Sequence, residues 1–288
     1  MAGTPTGRVL ITGATGNVGA AVIERLRGGA VPFVAAVRDV ARARARLGDE
    51  GAYVPFDFER PDTHAAAFAG IERLFLVRPP ELADVRRAIA PAIRAARAAG
   101  VRHVVFLSLL GAERNRVVPH HRIERLLRES GMDWTFLRAS YFMQNLDTTH
   151  REEIRRGELL IPAGHGATSF VDVRDVAAVG ALALTEAGHA NRAYDLTGAR
   201  ALTYAEVARQ FTAVLGRPVR YADPSPLAYV RGRRAAGQPW PFVAVTLGIY
   251  TVARLGLAAR VAADVPRLLG RAPLTLRRYI EDYRDAWR

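Results

Sequence analysis

Short apolar runs and longer amphipathic stretches take turns along the first half of the chain. Arg8-Val9-Leu10-Ile11-Thr12 is a brief hydrophobic run suited to a strand covered on both faces. Gly13 ends it, and Val18, Ala21, Val22 and Leu26 then recur at helical spacing until Gly28 and Gly29. Phe33–Val37, Ala52–Phe56 and Arg73–Val77 read as a second, third and fourth strand. Val85, Ala88, Ile89, Ala92, Ile93 and Ala96 follow the i, i+3, i+4, i+7 spacing of a helix, in which Pro91 predicts a kink. Gly100 closes that helix and His103–Ser108 forms a fifth strand. Ile123, Leu126 and Leu127 mark the next helix, which stops at Gly131, and Trp134–Arg138 is a sixth strand.

Strands alternating with helices imply a parallel sheet covered on both faces. With right-handed crossovers the leading topology is an α/β, doubly wound Rossmann-type sheet. After about residue 150 the rhythm changes. A loop around Gly164 and Gly166 leads to Ser169–Val173, a helix over Asp175–Thr185, a strand over Ala193–Thr197 and a helix containing Val207, Phe211 and Leu215. From Pro224 onward the chain is helix-rich, with prolines and arginines throughout. The expected division is therefore 1–150 for the sheet domain and 151–288 for a smaller, helix-rich C-terminal lobe packed on the same sheet. The apolar stretch Pro241–Ala253 is about 13 residues long, short of the roughly 20 that cross a bilayer, so it reads as a core or interface helix.

Composition removes more chemistry than any motif adds. The 288 residues include no cysteine, which excludes disulfides, thiol nucleophiles and Cys-ligated metals and fits a reducing cytoplasm. There is no lysine either, so all 41 basic residues are arginine. A Schiff-base lysine, a Walker-type lysine and the Tyr-x-x-x-Lys pair of ordinary short-chain dehydrogenases are all ruled out. The net charge of +13 invites a nucleic-acid reading. The arginines are scattered, however, and the densest group (Arg42, Arg44, Arg46) spreads around a helix, so nucleic acid is not expected as a partner. The first residues lead straight into the strand pattern, so no secretory signal is expected. No metal site is expected.

Gly13-Ala14-Thr15-Gly16-Asn17-Val18-Gly19 lies between the first strand and the first helix. In that setting Gly13 permits a tight turn, Gly16 lets backbone approach a phosphate, and Gly19 lets helix pack on strand. The helix start then offers free N–H groups to the pyrophosphate of a dinucleotide. Arg38 follows the second strand, with Asp39 next and Arg42 one turn on. A carboxylate here holds the ribose hydroxyls of NAD, whereas an arginine accommodates the extra phosphate of NADP; Arg38 comes first, so NADP(H) is expected over NAD(H). Asp57 and Phe58 follow the third strand, placed for the adenine amino group and ring, although Asp57 equally suits a turn cap. Val77 and Arg78 end the fourth strand, where Arg78 would touch phosphate, ribose or an anionic substrate, or else form a surface salt bridge.

Three separated segments resemble the NmrA-like family of atypical short-chain dehydrogenase/reductase proteins. They are the Gly13–Gly19 loop with Arg38, the run His120 to Asn145 (H-H-R-I-E-R-L-L-R-E-S-G-M-D-W-T-F-L-R-A-S-Y-F-M-Q-N), and Phe170-Val171-Asp172-Val173-Arg174-Asp175-Val176-Ala177 with Leu196-Thr197-Gly198. The resemblance implies NADP(H) or NAD(H) binding, with quinone and azo-compound reductases among family members beside regulators that only sense the cofactor. By position, His120 falls where members carry lysine or histidine four residues before Glu124. Phe142 and Asn145 fall where an aromatic and an asparagine close over the nicotinamide side. Hydride transfer without the Tyr–Lys pair needs mainly alignment and exclusion of water. His120 or His121 is expected to supply a proton near neutral pH, with Tyr141 and Ser108 as further candidates. Tyr229, Trp240, Phe242, Ile249 and Tyr250 would wall a flat substrate or form core or a dimer face. The expectation is an NADPH-dependent oxidoreductase of a small apolar, quinone or carbonyl acceptor. The alternative is a non-catalytic cofactor sensor with a protein partner, and homodimerisation is left open.

Overall fold

The computed structural model describes residues 7–287. The residues from which the absence of a secretory signal was expected, 1–6, lie outside that range. Contacts divide the chain into two units: residues 7–139 with 173–196, and residues 140–172 with 197–287. The expected break near residue 150 falls instead after Ala139, and the chain returns to the first unit for one helix and one strand. The reason is pairing: Arg192–Leu196 hydrogen-bonds beside Asp133–Ala139 and so belongs with the sheet.

The first unit is built on one sheet. Its first six strands are β1 (Arg8–Ile11), β2 (Phe33–Val37), β3 (Ala52–Pro55), β4 (Ile71–Leu76), β5 (His103–Leu109) and β6 (Asp133–Ala139). With the strand Arg192–Leu196 last, the order is β3-β2-β1-β4-β5-β6 and then that strand. Every pairing is parallel, as apolar strands alternating with helices require. The order reverses between β1 and β4, the switch point at which such sheets open a crevice.

Helix α1 (Asn17–Gly28) buries Val18, Gly19, Val22, Ile23 and Leu26, the stripe read from its spacing. It packs against the helix Val173–Thr185, in which Gly180 permits close approach; a Cβ there would lie 3.1 Å from Phe75. A separate cluster brings Leu10, Leu74, Leu76, Val104, Phe106 and Phe136 together with Ile89, Ala92, Ile93, Ile123 and Leu127 from helices. The kink expected at Pro91 takes the form of a π-helical turn over Val85–Ile89 that precedes an α-helix over Ala90–Ala98. Pro91 sits in the first turn of that α-helix, where its missing N–H costs no hydrogen bond.

The second unit has its own core, in which Tyr204, Phe211, Tyr250, Tyr279 and Trp287 are fully buried. Two short pairs of strands and a set of helices surround them. The apolar stretch forms the helix Trp240–Arg254, which buries Val243, Thr246, Tyr250 and Ala253 and leaves Val245, Ile249 and Val252 exposed. Among the described residues no helix is long and apolar enough to cross a membrane, and no group of acidic or histidine side chains is arranged to hold a metal.

Candidate functional site

The glycine loop sits where β1 and β4 end side by side. Thr12 fastens the two ends, its hydroxyl donating to the Phe75 carbonyl at 3.1 Å and accepting the Val77 N–H at 2.8 Å. Gly13 turns the chain at φ 61°, and a Cβ there would stand 2.9 Å from Val77 Cβ. A Cβ on Gly19 would come within 2.2 Å of the Gly13 carbonyl oxygen, so only glycine lets α1 start this close to the strand. Gly16 is the N-cap of α1 and brings no side-chain cap, and the first turn carries no acidic residue. Gly16 and Asn17 are exposed, Thr15 is half-buried, and Val18 points into the core. The result is a helix start whose N–H groups and partial positive charge face outward over bare backbone, an arrangement that fits a pyrophosphate.

The residues after the other strands take different tasks. Asp39 is the N-cap of helix α2 (Val40–Leu47), its carboxylate accepting the Arg42 N–H at 3.0 Å. Arg38 extends into solvent with 76% of its side chain exposed, 4.0 Å from Glu81. Asp57 accepts the Glu59 N–H at 2.9 Å, the turn-capping alternative for this residue. Phe58, expected against an adenine ring, is instead turned inward, edge-on to Phe56 with ring centres 4.8 Å apart. At 5% exposure its ring belongs to the core, since β3 is followed by a tight aromatic knot with Phe56, His64 and Phe68. Arg78, expected on an anion or in a surface ion pair, is folded back. Its Nη1 donates to the carbonyls of Pro79 at 2.7 Å, Pro80 at 3.0 Å and Leu82 at 3.0 Å, because two successive prolines shape that loop into a ring of acceptors.

The proton-donor candidates of the first unit surround a buried carboxylate. Glu124, 0% exposed, accepts from Ser108 Oγ at 2.7 Å and from Arg138 through Nε at 3.0 Å and Nη2 at 2.8 Å. Arg128 adds a fourth donor at 3.1 Å while lying over the Phe136 ring. Burial works against the charge on Arg138, but Glu124, together with Glu113 at 3.4 Å and Asp195, outweighs it and holds the guanidinium above its ordinary value. Ser108, expected as a candidate acid, has its proton committed to Glu124. His120 stacks on Phe106 with ring centres 6.0 Å apart. Burial first, then the Arg78 charge, lowers it to about 4, so the expectation that it exchanges a proton near neutral pH is corrected: it stands neutral there. Its buried Nδ1 has no protein hydrogen-bond partner. His121 Nδ1 lies 2.8 Å from the Ala112 carbonyl.

The remaining candidates belong to the second unit. Phe142 forms a parallel bridge with Val171, flanked by Val171 N–H to the Tyr141 carbonyl at 3.0 Å and Met143 N–H to the Val171 carbonyl at 2.9 Å. This fixes Tyr141 and Asn145 around the same turn, where their side chains hydrogen-bond. The Tyr141 hydroxyl lies 3.2 Å from that of Tyr250, and burial pushes the Tyr141 phenol up to about 12. Sequence reasoning missed His150, Glu153 and Arg233, which extend this contact. No local signal marks them, since His150 meets Tyr250 across 100 residues of chain.

A parallel sheet with an uncapped, glycine-lined helix start at its switch point defines a Rossmann-type protein. The sequence model of the NmrA-like family matches residues 5–231, and the chain belongs to that family. It is 36% identical to the NAD(P)H azoreductase of Xenophilus azovorans over 97% of this chain and 99% of the relative. The triphenylmethane reductase of a Citrobacter species, solved with NADP(H), superposes with a TM-score of 0.85 at 29% identity, covering 96% of this chain and 99% of that one. The NADPH-dependent quinone oxidoreductase of Escherichia coli, solved with NADPH, gives a TM-score of 0.87 at 28% identity, covering 95% and 99%.

Proposed function

We propose that the protein is an NADPH-dependent reductase of a small, flat, electron-poor acceptor of the quinone or azo type. The observation that carries this reading is the pairing of an open phosphate cradle with the end of β2. There the carboxylate of Asp39 caps α2, while Arg38 extends into solvent beside it, paired loosely with Glu81 at 4.0 Å. A ribose 2′-hydroxyl needs an acceptor at that point, whereas a 2′-phosphate needs a cation, so this end of the strand favours NADP(H). The family membership and the reductase activities named for the azo-, quinone- and triphenylmethane-reducing relatives support the same reading.

The cradle would hold the dinucleotide by the N–H groups of Asn17 and Val18 in the first turn of α1, while the Gly16 N–H closes the turn on the Gly13 carbonyl at 2.9 Å. The bound dinucleotide would supply the hydride. Of the candidate proton donors, Tyr141 is the one whose hydroxyl is not tied to a charged partner, and we assign it the acid role, with Phe142 and Asn145 beside it as wall and orienter. Ser108 and Glu124 serve to hold the ends of β5 and β6 in register, and neutral His120 serves as wall.

The test is equilibrium titration with NADPH and with NADH, followed by an acceptor panel of quinones and azo dyes with the tighter nucleotide. The reading expects NADPH to bind at least about tenfold more tightly, the worth of roughly one lost charged contact. It also expects steady oxidation with one acceptor or more. Absence of binding to either nucleotide overturns it; binding without turnover leaves the sensing role known for the family.

A further inference from the structure

The second unit encloses a row of polar side chains that leads away from Tyr141. The Tyr141 hydroxyl is 3.2 Å from that of Tyr250, which in turn is 2.6 Å from His150 Nε2. On the other side of the ring, His150 Nδ1 is 2.9 Å from Glu153 Oε2, and Glu153 Oε1 is 2.6 Å from Arg233 Nη1. His150 and Tyr250 are both fully buried. Glu153 and Arg233 line a cavity of about 580 Å³, together with Asp147, Arg151, Glu152 and Arg156. A hydrogen-bonded row therefore joins a half-buried phenol at one end to a polar cavity at the other.

The row has a direction. Burial disfavours the Glu153 carboxylate, but the His150 hydrogen bond and the Arg233 charge outweigh it and hold it below the usual carboxylate range. An ionised carboxylate only accepts, and Glu153 Oε2 at 2.9 Å from Nδ1 is nearer than the competing donor Arg233 Nη2 at 3.3 Å from the same atom. We therefore place the His150 proton on Nδ1, which leaves Nε2 of the neutral ring as an acceptor. Tyr250 then donates to Nε2, and Tyr141 donates to Tyr250. In this resting state the Tyr141 proton points along the row and its oxygen presents lone pairs. Charging His150 at Nε2 reverses every member: Nε2–H donates to Tyr250, Tyr250 donates to Tyr141, and the Tyr141 O–H is released to donate to a bound molecule. The groups facing His150 are Glu153 from its own helix, Arg233 Nη2 at 3.3 Å from the helix Pro226–Ala235, and Tyr250 from the helix Trp240–Arg254.

We propose that His150, acting through Tyr250, decides whether Tyr141 donates or accepts a proton, and that between turnovers Nε2 is recharged from solvent back along the same row while Glu153 holds the Nδ1 proton. The inference rests on the reductase reading above. Two-electron reduction of a quinone or azo acceptor by NADPH consumes one proton and yields NADP+ and the dihydro product. The anion formed on the acceptor takes the Tyr141 proton, Tyr141 takes that of Tyr250, and Tyr250 takes that of His150 Nε2. The neutral Nδ1–H ring remains, which is the resting state again. His150 and Tyr250 are positioning residues here, since neither meets the acceptor.

Burial holds His150 below its ordinary value, so the charged ring is lost as pH rises through that lowered value. With NADPH and 1,4-naphthoquinone, kcat of the wild type is therefore expected to fall about tenfold per pH unit across the neutral range. Tyr250→Phe keeps the ring and removes the hydroxyl; it should lower kcat at pH 6 about tenfold, abolish the slope and leave the NADPH Kd unchanged. His150→Gln should flatten the profile likewise. Independently of turnover, the 15N shifts of the His150 ring in the nucleotide-free protein should show Nδ1 protonated and Nε2 as an acceptor at pH 8. A Tyr250→Phe enzyme that keeps both rate and slope overturns the relay while leaving the reductase reading intact, as does an Nε2–H ring at pH 8. A wild type that binds NADPH but turns over no acceptor overturns both.

Discussion

The two units each bury a carboxylate among arginines, and they use it in opposite ways. Glu124 in the first unit is closed: Ser108, Arg138 and Arg128 fill its acceptor sites, and its own helix and two strands supply all of them. Glu153 in the second unit stands at the end of a line, bound to Arg233 on one side and to His150 on the other, with Tyr250 and Tyr141 beyond. A closed cluster has no proton to give and no group to receive one, so it serves to fix strand ends. An open line of donors that are also acceptors can be reversed by a single charge. Burial alone does not separate structural from chemical carboxylates; what does is a partner that carries the hydrogen bond onward, as His150 does to Tyr250.

The largest expected effect bears on the closed cluster. Glu124→Ala leaves the Arg138 guanidinium, whose side chain is 11% exposed, with the Glu113 carboxylate at 3.4 Å as its ion-pair partner. It also empties the place of the three hydrogen bonds from Ser108 and Arg138, and should cost about 3 kcal/mol in urea unfolding. A loss no greater than that of a surface substitution would mean that the cluster does not hold the strand ends. Tyr141→Phe should behave in the opposite manner. It removes the hydroxyl that meets Tyr250 and Asn145, worth about 1–2 kcal/mol of stability, yet should lower kcat with a quinone about 100-fold. Equal losses in stability for the two variants would erase the contrast between the units.

The same division appears in miniature at the end of β2, where Asp39 is closed and Arg38 open. Arg38→Ala should raise the NADPH Kd about tenfold, close to 1.4 kcal/mol, and leave the NADH Kd unchanged, as read by fluorescence titration. Asp39→Ala removes the cap of α2 and should lower thermal stability by about 1 kcal/mol without reversing the nucleotide preference. Tighter NADH binding in Arg38→Ala than in the wild type would argue that Asp39 leaves its cap to hold a ribose.

Much of this could be read before any coordinates. All six strands expected in the first 150 residues occur within about two residues of the expected bounds, because a strand buried on both faces is a continuous apolar run between turn signals. The cradle was equally legible, since Gly13 and Gly19 are demanded by backbone geometry within a single strand–turn–helix unit. Phe58 and Arg78 went astray for a common reason. Each follows a strand at the right place, but the direction of its side chain is set by Phe56 in one case and by Pro79 and Pro80 in the other. His120 matched its motif position, yet its proton affinity depends on Phe106 and Arg78, which the spacing of the motif does not report.

The sequence by itself determined the alternation that builds the parallel sheet, the glycine turn that opens a helix toward an anion, and the chemistry excluded by having neither cysteine nor lysine. Those properties are local or compositional, fixed by periodicity and by which residues tolerate a given backbone. Only the tertiary structure decided that the Ser108 hydroxyl donates its hydrogen bond to Glu124 and that Tyr141 is joined to His150 through Tyr250. Such partners are far apart in the chain, and a side chain's protonation and direction follow from what the fold places within about 3 Å of it.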